Sequence, residues 1–212
     1  MVQTETMTVS RAGRTGELVV PERAQALILV IDARAPRRVG PRERQLVAVL
    51  QAHRLATLRA EAVDPTPTPT RRAAVGPAER IDEMLDWVGT RPALATLRVG
   101  ILATGAAAAA AMRVAARRPG RVAALVSRGG RPDLASAALQ YVQAATLLIV
   151  GGNDAELLAL NRALLPRLVC TRRLEVVPGA SRGFKEAGAL DTVAHLACAW
   201  FETHLGNERN GR

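Results

Sequence analysis

Apolar residues along the chain alternate between short unbroken runs and longer segments with helical spacing. Residues 26–31 (ALILVI) and 145–150 (ATLLIV) are continuous apolar runs, which are typical of strands buried on both faces of a sheet. Residues 77–90 carry apolar side chains on one stripe, which predicts an amphipathic helix. Strands and helices that alternate in this way predict βαβ units and a mostly parallel sheet.

The same patterns predict the other elements. We expect further strands over 55–60, 97–102, 121–127 and 174–177, and further helices over 41–53, 106–118, 156–168 and 190–205. The alternate prolines of 64–70 (DPTPTPT) exclude a regular element, because proline lacks a backbone donor. We predict one domain over 16–205, preceded by a flexible N-terminus over 1–15 and followed by a polar tail over 206–212.

Composition narrows the function classes. The formal net charge of +10 favours an anionic partner, while an aromatic content of 2% counts against stacking on nucleic acid. The two cysteines, Cys170 and Cys198, cannot form a disulfide framework or a cysteine-based zinc site alone, and no metal or other cofactor is implied. Since a signal peptide and a membrane-spanning apolar run are missing, we expect a soluble cytoplasmic protein.

Four segments of the second half carry a resemblance to a known family. They are 121–134 (RVAALVSRGGRPDL), 145–154 (ATLLIVGGND), 160–163 (LNRA) and 176–180 (VVPGA). In this order and spacing they resemble α/β-hydrolases of the dienelactone-hydrolase-like group, particularly those fused behind a phosphoribosyltransferase domain. The resemblance implies an α/β fold: an α/β-hydrolase-like three-layer sandwich, with a mostly parallel central sheet and helices on both faces.

The resemblance also implies a nucleophile, an acid and a histidine at strand ends. Family members read Gly-x-Ser-Thr-Gly at the nucleophile turn, where this chain reads VGILATG over 99–105. Matching the flanks leaves the chain about two residues short, which puts Ala103 at or next to the serine position. Thr104 is then the one hydroxyl available, and its branched side chain makes it a poor nucleophile.

The acid position is filled and the histidine position is not. Asp154 follows a strand and a glycine pair as a family acid would, although a loop aspartate there could equally cap the next helix. The family pattern Pro-Gly-Ala-Thr-His reads PGASR over 178–182, so Arg182 replaces the histidine. Arginine stays protonated near neutral pH and cannot act as a base, so we expect Arg182 to form a salt bridge with Asp154.

The family's His-Gly-rich oxyanion loop reads IDARAPRRVG over 31–40. It lacks the glycines that allow a close backbone approach, and it introduces Arg34, Arg37 and Arg38. Because loops at the carboxyl ends of parallel strands meet, these arginines and Arg182 could form an anion-binding cleft. The alternative is that the arginines are dispersed over the solvated surface, as other arginine doublets of the chain suggest.

These departures favour a fold that has lost ester or lactone hydrolysis and serves as a binding or interaction module. An alternative is an active hydrolase that acts on a small ester or lactone through a non-standard site. A second alternative is a polyanion or nucleic-acid binder, against which the low aromatic content counts. The expected partners are a small anionic ligand, a second copy of the chain or a phosphoribosyltransferase; no membrane association is expected.

Overall fold

A computed structural model describes residues 3–8, 15–32, 40–60 and 76–206 of the chain. Its centre is one eight-stranded sheet with the order β1-β2-β4-β3-β5-β6-β7-β8. Strands β3 to β8 run parallel to one another, whereas β1 and β2 form an antiparallel pair at one edge. The strands are β1 (Gln3–Thr8), β2 (Thr15–Val20), β3 (Ala26–Ile31), β4 (Leu55–Ala60), β5 (Arg98–Thr104), β6 (Ala124–Arg128), β7 (Ala145–Gly151) and β8 (Arg172–Val177).

Helices cover both faces of this sheet and complete a three-layer sandwich. Helices α1 (Pro41–Ala52) and α6 (Ala189–Leu205) pack together on one face. Helices α2 (Pro77–Gly89), α4 (Ala106–Arg117) and α5 (Ala155–Leu164) lie on the other. A single turn, α3 (Pro92–Ala95), precedes β5. The predicted fold class, a three-layer sandwich around a mostly parallel sheet, is confirmed.

The unbroken apolar runs are explained by burial on both sides of the sheet. In β3, Leu27 and Leu29 join the core beneath α2 and α4, whereas Ala26 and Ile28 join the core beneath α1 and α6. All four side chains are fully buried. Because successive side chains of a strand point to opposite faces, a strand covered by helices on both sides needs apolar residues at every position.

Two strands were not predicted. Strand β1 lies within the stretch expected to be flexible, yet its backbone pairs with β2 from Gln3↔Val20 to Thr8↔Thr15. Its sequence, QTETMT, has no apolar run, but threonine is a good strand former and all six residues are in register with residues of β2. The proline segment 64–70 and tail residues 207–212 lie outside the described residues. No helix in the described part of the chain has the length and apolarity to cross a membrane.

Candidate functional site

A cleft of about 540 Å³ lies at the carboxyl ends of the central parallel strands. In folds of this kind ligands bind at this edge, because the loops that leave the strands meet there. The described part of its wall contains four cationic side chains, two carboxylates, two hydroxyls and three glycines. These residues are Asp32, Arg42, Glu43, Thr104, Gly105, Arg128, Gly129, Ser181, Arg182, Gly183 and Lys185.

The turn between β5 and α4 forms one wall of the cleft, and Gly105 is the residue on which it turns. Gly105 has φ 53° and ψ −128°, a conformation that side-chain-bearing residues rarely adopt. Its amide donates to the carbonyl of Arg128 at 3.3 Å, which fixes the turn against β6. A strand-to-helix turn of this kind carries the nucleophile in hydrolases of this fold. At this position the chain has no side chain.

The geometry corrects the predicted position of the nucleophile. Ala103 is a residue of β5 whose side chain is fully buried in the core beneath α2 and α4, so it does not face the cleft. Thr104, the last residue of β5, does face it, and its hydroxyl donates to Asp32 Oδ1 at 2.9 Å. The turn residue itself, Gly105, comes two positions after Ala103.

Asp154 and Arg182 form the predicted salt bridge. Arg182 Nε lies 2.5 Å from Asp154 Oδ2, and Arg182 Nη2 lies 3.2 Å from Asp154 Oδ1, so the pair is bidentate. Asp154 also caps α5, because its Oδ1 accepts from the amide of Leu157 at 3.1 Å. Asp154 therefore acts as the helix cap that the sequence offered as an alternative to the family acid, and it also pairs with Arg182.

The salt bridge fixes the charge of both groups. The hydrogen bonds from Arg182 hold the pKa of the Asp154 carboxyl below its ordinary value, and the amide of Leu157 acts in the same direction. In turn, Asp154 raises the pKa of the Arg182 guanidinium. Neither group can accept a proton from a nucleophile near neutral pH, so this pair does not provide the base that acyl transfer requires.

The segment 178–188 after β8 carries both Arg182 and Lys185 and is held against the sheet at two points. Gly151 permits the first contact, since a Cβ there would lie 2.3 Å from the carbonyl oxygen of Ala180. Phe184 makes the second: its side chain is fully buried although its φ is 50°. The carbonyl of Phe184 accepts a hydrogen bond from Arg42 of α1. The cleft wall is therefore anchored by packing at Gly151 and Phe184.

Arg128 at the end of β6 is a site residue that the sequence analysis did not single out. It lines the cleft with only 9% of its surface exposed, and its Nη2 donates to Glu43 Oε1 of α1 at 2.8 Å. A guanidinium is rarely buried unless it is paired. It stands within residues 121–134, one of the segments that carry the resemblance. A charged residue at the end of a mostly apolar strand was the available signal.

The remaining candidates are not among the described residues of the cleft lining. Arg34, Arg37 and Arg38 are outside the described residues, so their predicted anion contacts remain a prediction. None of the three histidines is among the described lining residues. His53 Nδ1 lies 2.7 Å from Glu202 Oε1, His195 Nδ1 lies 2.8 Å from the carbonyl of Asp191, and His204 packs on Trp200. Within the described ranges no group of three or more His, Cys, Asp or Glu side chains could hold a metal ion.

Known proteins resemble the chain in both sequence and structure. A dienelactone hydrolase from Anabaena variabilis superimposes with a TM-score of 0.86 at 37% identity, and the match covers 97% of this chain and 98% of that one. A dienelactone hydrolase-like promiscuous phosphotriesterase from metagenomic libraries shares the fold, with a TM-score of 0.70 at 14% identity over 97% of this chain and all of that one. No family model matches the chain.

Curated relatives come from Mycobacterium tuberculosis. Two proteins, from strains CDC 1551 and H37Rv, are 38% identical over 193 residues, which is 90% of this chain. Both bear the name "Putative phosphoribosyl transferase". The chain spans 44% of their length, so it matches less than half of each of these proteins.

Proposed function

Because the chain belongs to the dienelactone-hydrolase-like family of α/β-hydrolases, we propose that it is a member without hydrolytic activity whose cleft binds a small anionic ligand. The proposal is carried by one observation: the turn that presents a nucleophile in this fold is formed by Gly105, which has no side chain. The acid Asp154 supports it, since it is bound by Arg182 and not by a histidine.

Charge supports the binding part of the proposal. Four cationic side chains face two carboxylates in the described lining of the cleft, so an anion gains from entering it. Among the described residues, Arg42 and Lys185 have no carboxylate partner. An anion that reaches these two groups does not have to break an existing ion pair.

Two measurements test this proposal. Hydrolysis of p-nitrophenyl acetate and p-nitrophenyl butyrate by the wild type is expected to match the rate in buffer alone. Phosphate, sulfate or acetate at constant ionic strength is expected to raise the thermal unfolding midpoint, because a ligand that binds the folded state stabilises it. Ester turnover above the buffer rate, or midpoints that no anion changes, would contradict the proposal.

A second candidate function rests on the hydrogen bond from Thr104 to Asp32. A hydroxyl 2.9 Å from a carboxylate lies within reach of a general base, so an ester hydrolase that uses Thr104 is chemically conceivable. The discriminating variant is Thr104→Ala, with Thr203→Ala on the exposed surface of α6 as its control. Hydrolysis that disappears in the first variant and persists in the second would establish this candidate.

We also infer that the chain acts beside a phosphoribosyltransferase. The name and length of the curated relatives support this, because the segment that resembles this chain makes up 44% of each of them. Size-exclusion chromatography of the chain mixed with the remaining segment of the Mycobacterium tuberculosis protein tests it. Co-elution is expected, and separate elution at micromolar concentrations would contradict it.

A further inference from the structure

The cleft lining indicates which kind of anion fits it. Among its described residues there is no aliphatic or aromatic side chain larger than the methyl group of Thr104. Pockets for drug-like or hydrophobic ligands are lined mainly by apolar and aromatic side chains. The described side chains whose polar groups can bind a ligand in this cleft are charged or hydroxyl-bearing, which favours a ligand that carries an anionic group and hydroxyl groups.

The cations reach the cleft from three separate elements. Arg42 belongs to the first turn of α1, Arg128 ends β6, and Arg182 and Lys185 belong to the segment 178–188. A planar carboxylate is satisfied by one guanidinium fork, whereas a phosphate group presents oxygens in several directions and suits both forks and point charges. Cations that approach from several sides therefore favour a phosphate group.

These cations still have donors to offer. A guanidinium has five N–H groups. Arg182 directs its Nε and Nη2 groups to Asp154, and Arg128 directs its Nη2 group to Glu43. The ammonium of Lys185 has no ion-pair partner within the described ranges, and Lys185 is exposed at the cleft. A phosphate group can therefore bind while the existing ion pairs are kept.

Two carboxylates lie beside these cations, and they limit the anion to one phosphate group. Asp32 accepts the hydroxyl of Thr104, and Glu43 pairs with Arg128. An ionised carboxylate offers about four lone-pair sites, so each can also accept hydroxyl groups of a ligand. The same carboxylates would repel the additional charges of a diphosphate or a nucleic acid.

We propose that the cleft binds a phosphate monoester of a small polyhydroxylated molecule, such as a sugar phosphate. Lys185, Arg42 and Arg182 hold the phosphate group, while Asp32 and Glu43 accept the ligand's hydroxyl groups. This proposal rests on the proposed anion-binding function and adds the chemical class of the ligand. A cleft of about 540 Å³ is large enough for a molecule of this size.

Isothermal titration calorimetry with five probes tests the ligand class. Ribose 5-phosphate is expected to bind at least about tenfold more tightly than inorganic phosphate, phenyl phosphate or gluconate, and neutral ribose is expected not to bind. The comparison with phenyl phosphate isolates the hydroxyl groups, and the comparison with gluconate isolates the phosphate group.

Variants test which residues bind the phosphate group and which bind the hydroxyl groups of the ligand. Lys185→Ala is expected to weaken binding of every phosphate about tenfold. Its matched control, Arg117→Ala, removes a positive charge at the C-terminal end of α4, whereas the cleft lies at the N-terminal end of this helix. This control is expected to leave binding unchanged. Asp32→Asn is expected to remove the preference for ribose 5-phosphate over inorganic phosphate, yet to leave inorganic phosphate bound equally or more tightly. A variant that failed to fold would bind both ribose 5-phosphate and inorganic phosphate more weakly.

These outcomes distinguish the proposed ligand class from the proposed anion-binding function on which it rests. Equal binding of ribose 5-phosphate and phenyl phosphate, or of ribose 5-phosphate and gluconate, overturns the ligand class but leaves an anion-binding cleft. Binding of none of the four anions overturns both proposals. An unchanged affinity in Lys185→Ala places the phosphate elsewhere and overturns the assignment of the site.

Discussion

At the turn after β5, Gly105 has a backbone conformation that costs a side-chain-bearing residue about 1–3 kcal/mol, which hydrolases accept in return for an exposed nucleophile. Glycine adopts it without that cost. Arg182 has an equally local effect, because its contacts with Asp154 occupy the carboxylate that would orient a histidine. We propose that these two departures from the family pattern abolish hydrolysis, while the fold of the family is kept.

Restoring both side chains tests this assignment. We expect the double variant Gly105→Ser with Arg182→His to react slowly with a fluorophosphonate probe, because it places a hydroxyl on the turn and an imidazole beside Asp154. The matched control combines Ala103→Ser with Arg182→His. It is expected not to react, since residue 103 is buried in β5. Mass spectrometry of the labelled peptide measures the result, and equal labelling of both variants would contradict it.

The Asp154–Arg182 pair also predicts a pH dependence. The lowered pKa of Asp154 stabilises the folded state above the ordinary value of 3.8, and this contribution is lost as the pH falls through the lower folded-state pKa. The difference in unfolding free energy between the wild type and Arg182→Gln is therefore expected to be constant above about pH 5 and to shrink below 3.8.

Urea denaturation from pH 7 to pH 3 measures this difference. Arg162→Gln, which removes an exposed arginine of α5, serves as the control for the change in net charge. A wild-type advantage over Arg182→Gln that stays constant down to pH 3 would be inconsistent with the ion pair.

At the scale of elements, the segment 178–188 depends on the close approach of its backbone to Gly151. A methyl group there would lie 2.3 Å from Ala180 O and 2.5 Å from Ser181 O, and these backbone atoms cannot move without moving the segment. We expect Gly151→Ala to destabilise the protein by about 1–3 kcal/mol and to weaken anion binding by displacing Arg182 and Lys185.

Gly183→Ala is the matched control for Gly151→Ala. It lies in the same segment, but its added methyl group would meet only the flexible side chain of Lys185, at 3.4 Å. Thermal unfolding and phosphate titration of both variants measure the effect. A Gly151→Ala protein as stable as Gly183→Ala would show that the segment is not held at this point.

Helices and strands could be predicted from the sequence wherever burial requires a regular pattern of apolar residues. The runs in β3 and β7 and the stripe of α2 were located within one or two residues. Strand β1 was missed because its sequence, QTETMT, has no apolar run, and pairing with β2 cannot be read from the sequence. The turn at Gly105 was misplaced by two residues, since the alanine run 106–111 looks the same in every register and does not fix an alignment.

For the site, the sequence identified the residues that depart from the family pattern but not all those that now line the cleft. Arg182 and Asp154 could be paired because both follow strands of one parallel sheet. Glu43 and Arg128 are 85 positions apart, and nothing in either segment signals that they meet. Contacts of this kind depend on how α1 packs over the sheet, which hydrophobic periodicity does not specify.

At the scale of the whole molecule, several of the 29 arginine and lysine residues behind the net charge of +10 are scattered and paired with carboxylates. Arg117, the last residue of α4, and the following Arg118 pair with Asp82 and Asp86 of α2 at 2.6 and 2.5 Å. Arg173 pairs with Glu175 within β8 at 2.5 Å. Paired arginines of this kind do not make a continuous positive track for a nucleic-acid backbone. Among the described residues, the distribution therefore favours a small ligand in one cleft over a polyanion along the surface.

We accordingly expect only non-specific binding to a 20-base-pair DNA duplex. Fluorescence anisotropy should give a dissociation constant weaker than about 1 μM at 150 mM salt, with a steep loss of affinity as salt rises, because each phosphate contact releases counterions. Binding of a single phosphate group is expected to fall far less over the same range. Submicromolar DNA binding at 150 mM salt would instead support the polyanion alternative.

Lys185 has a practical consequence for experiments on this protein. It is the only lysine among the 29 basic residues of the chain, and it is exposed at the cleft. The α-amino group can first be acetylated selectively near neutral pH, because its ordinary pKa lies below that of a lysine side chain. An amine-reactive fluorophore applied afterwards would attach at this one side chain. Labelling of Lys185 could thus report whether the cleft is occupied, without an engineered cysteine. A ligand that shields the Lys185 amine would slow its acylation.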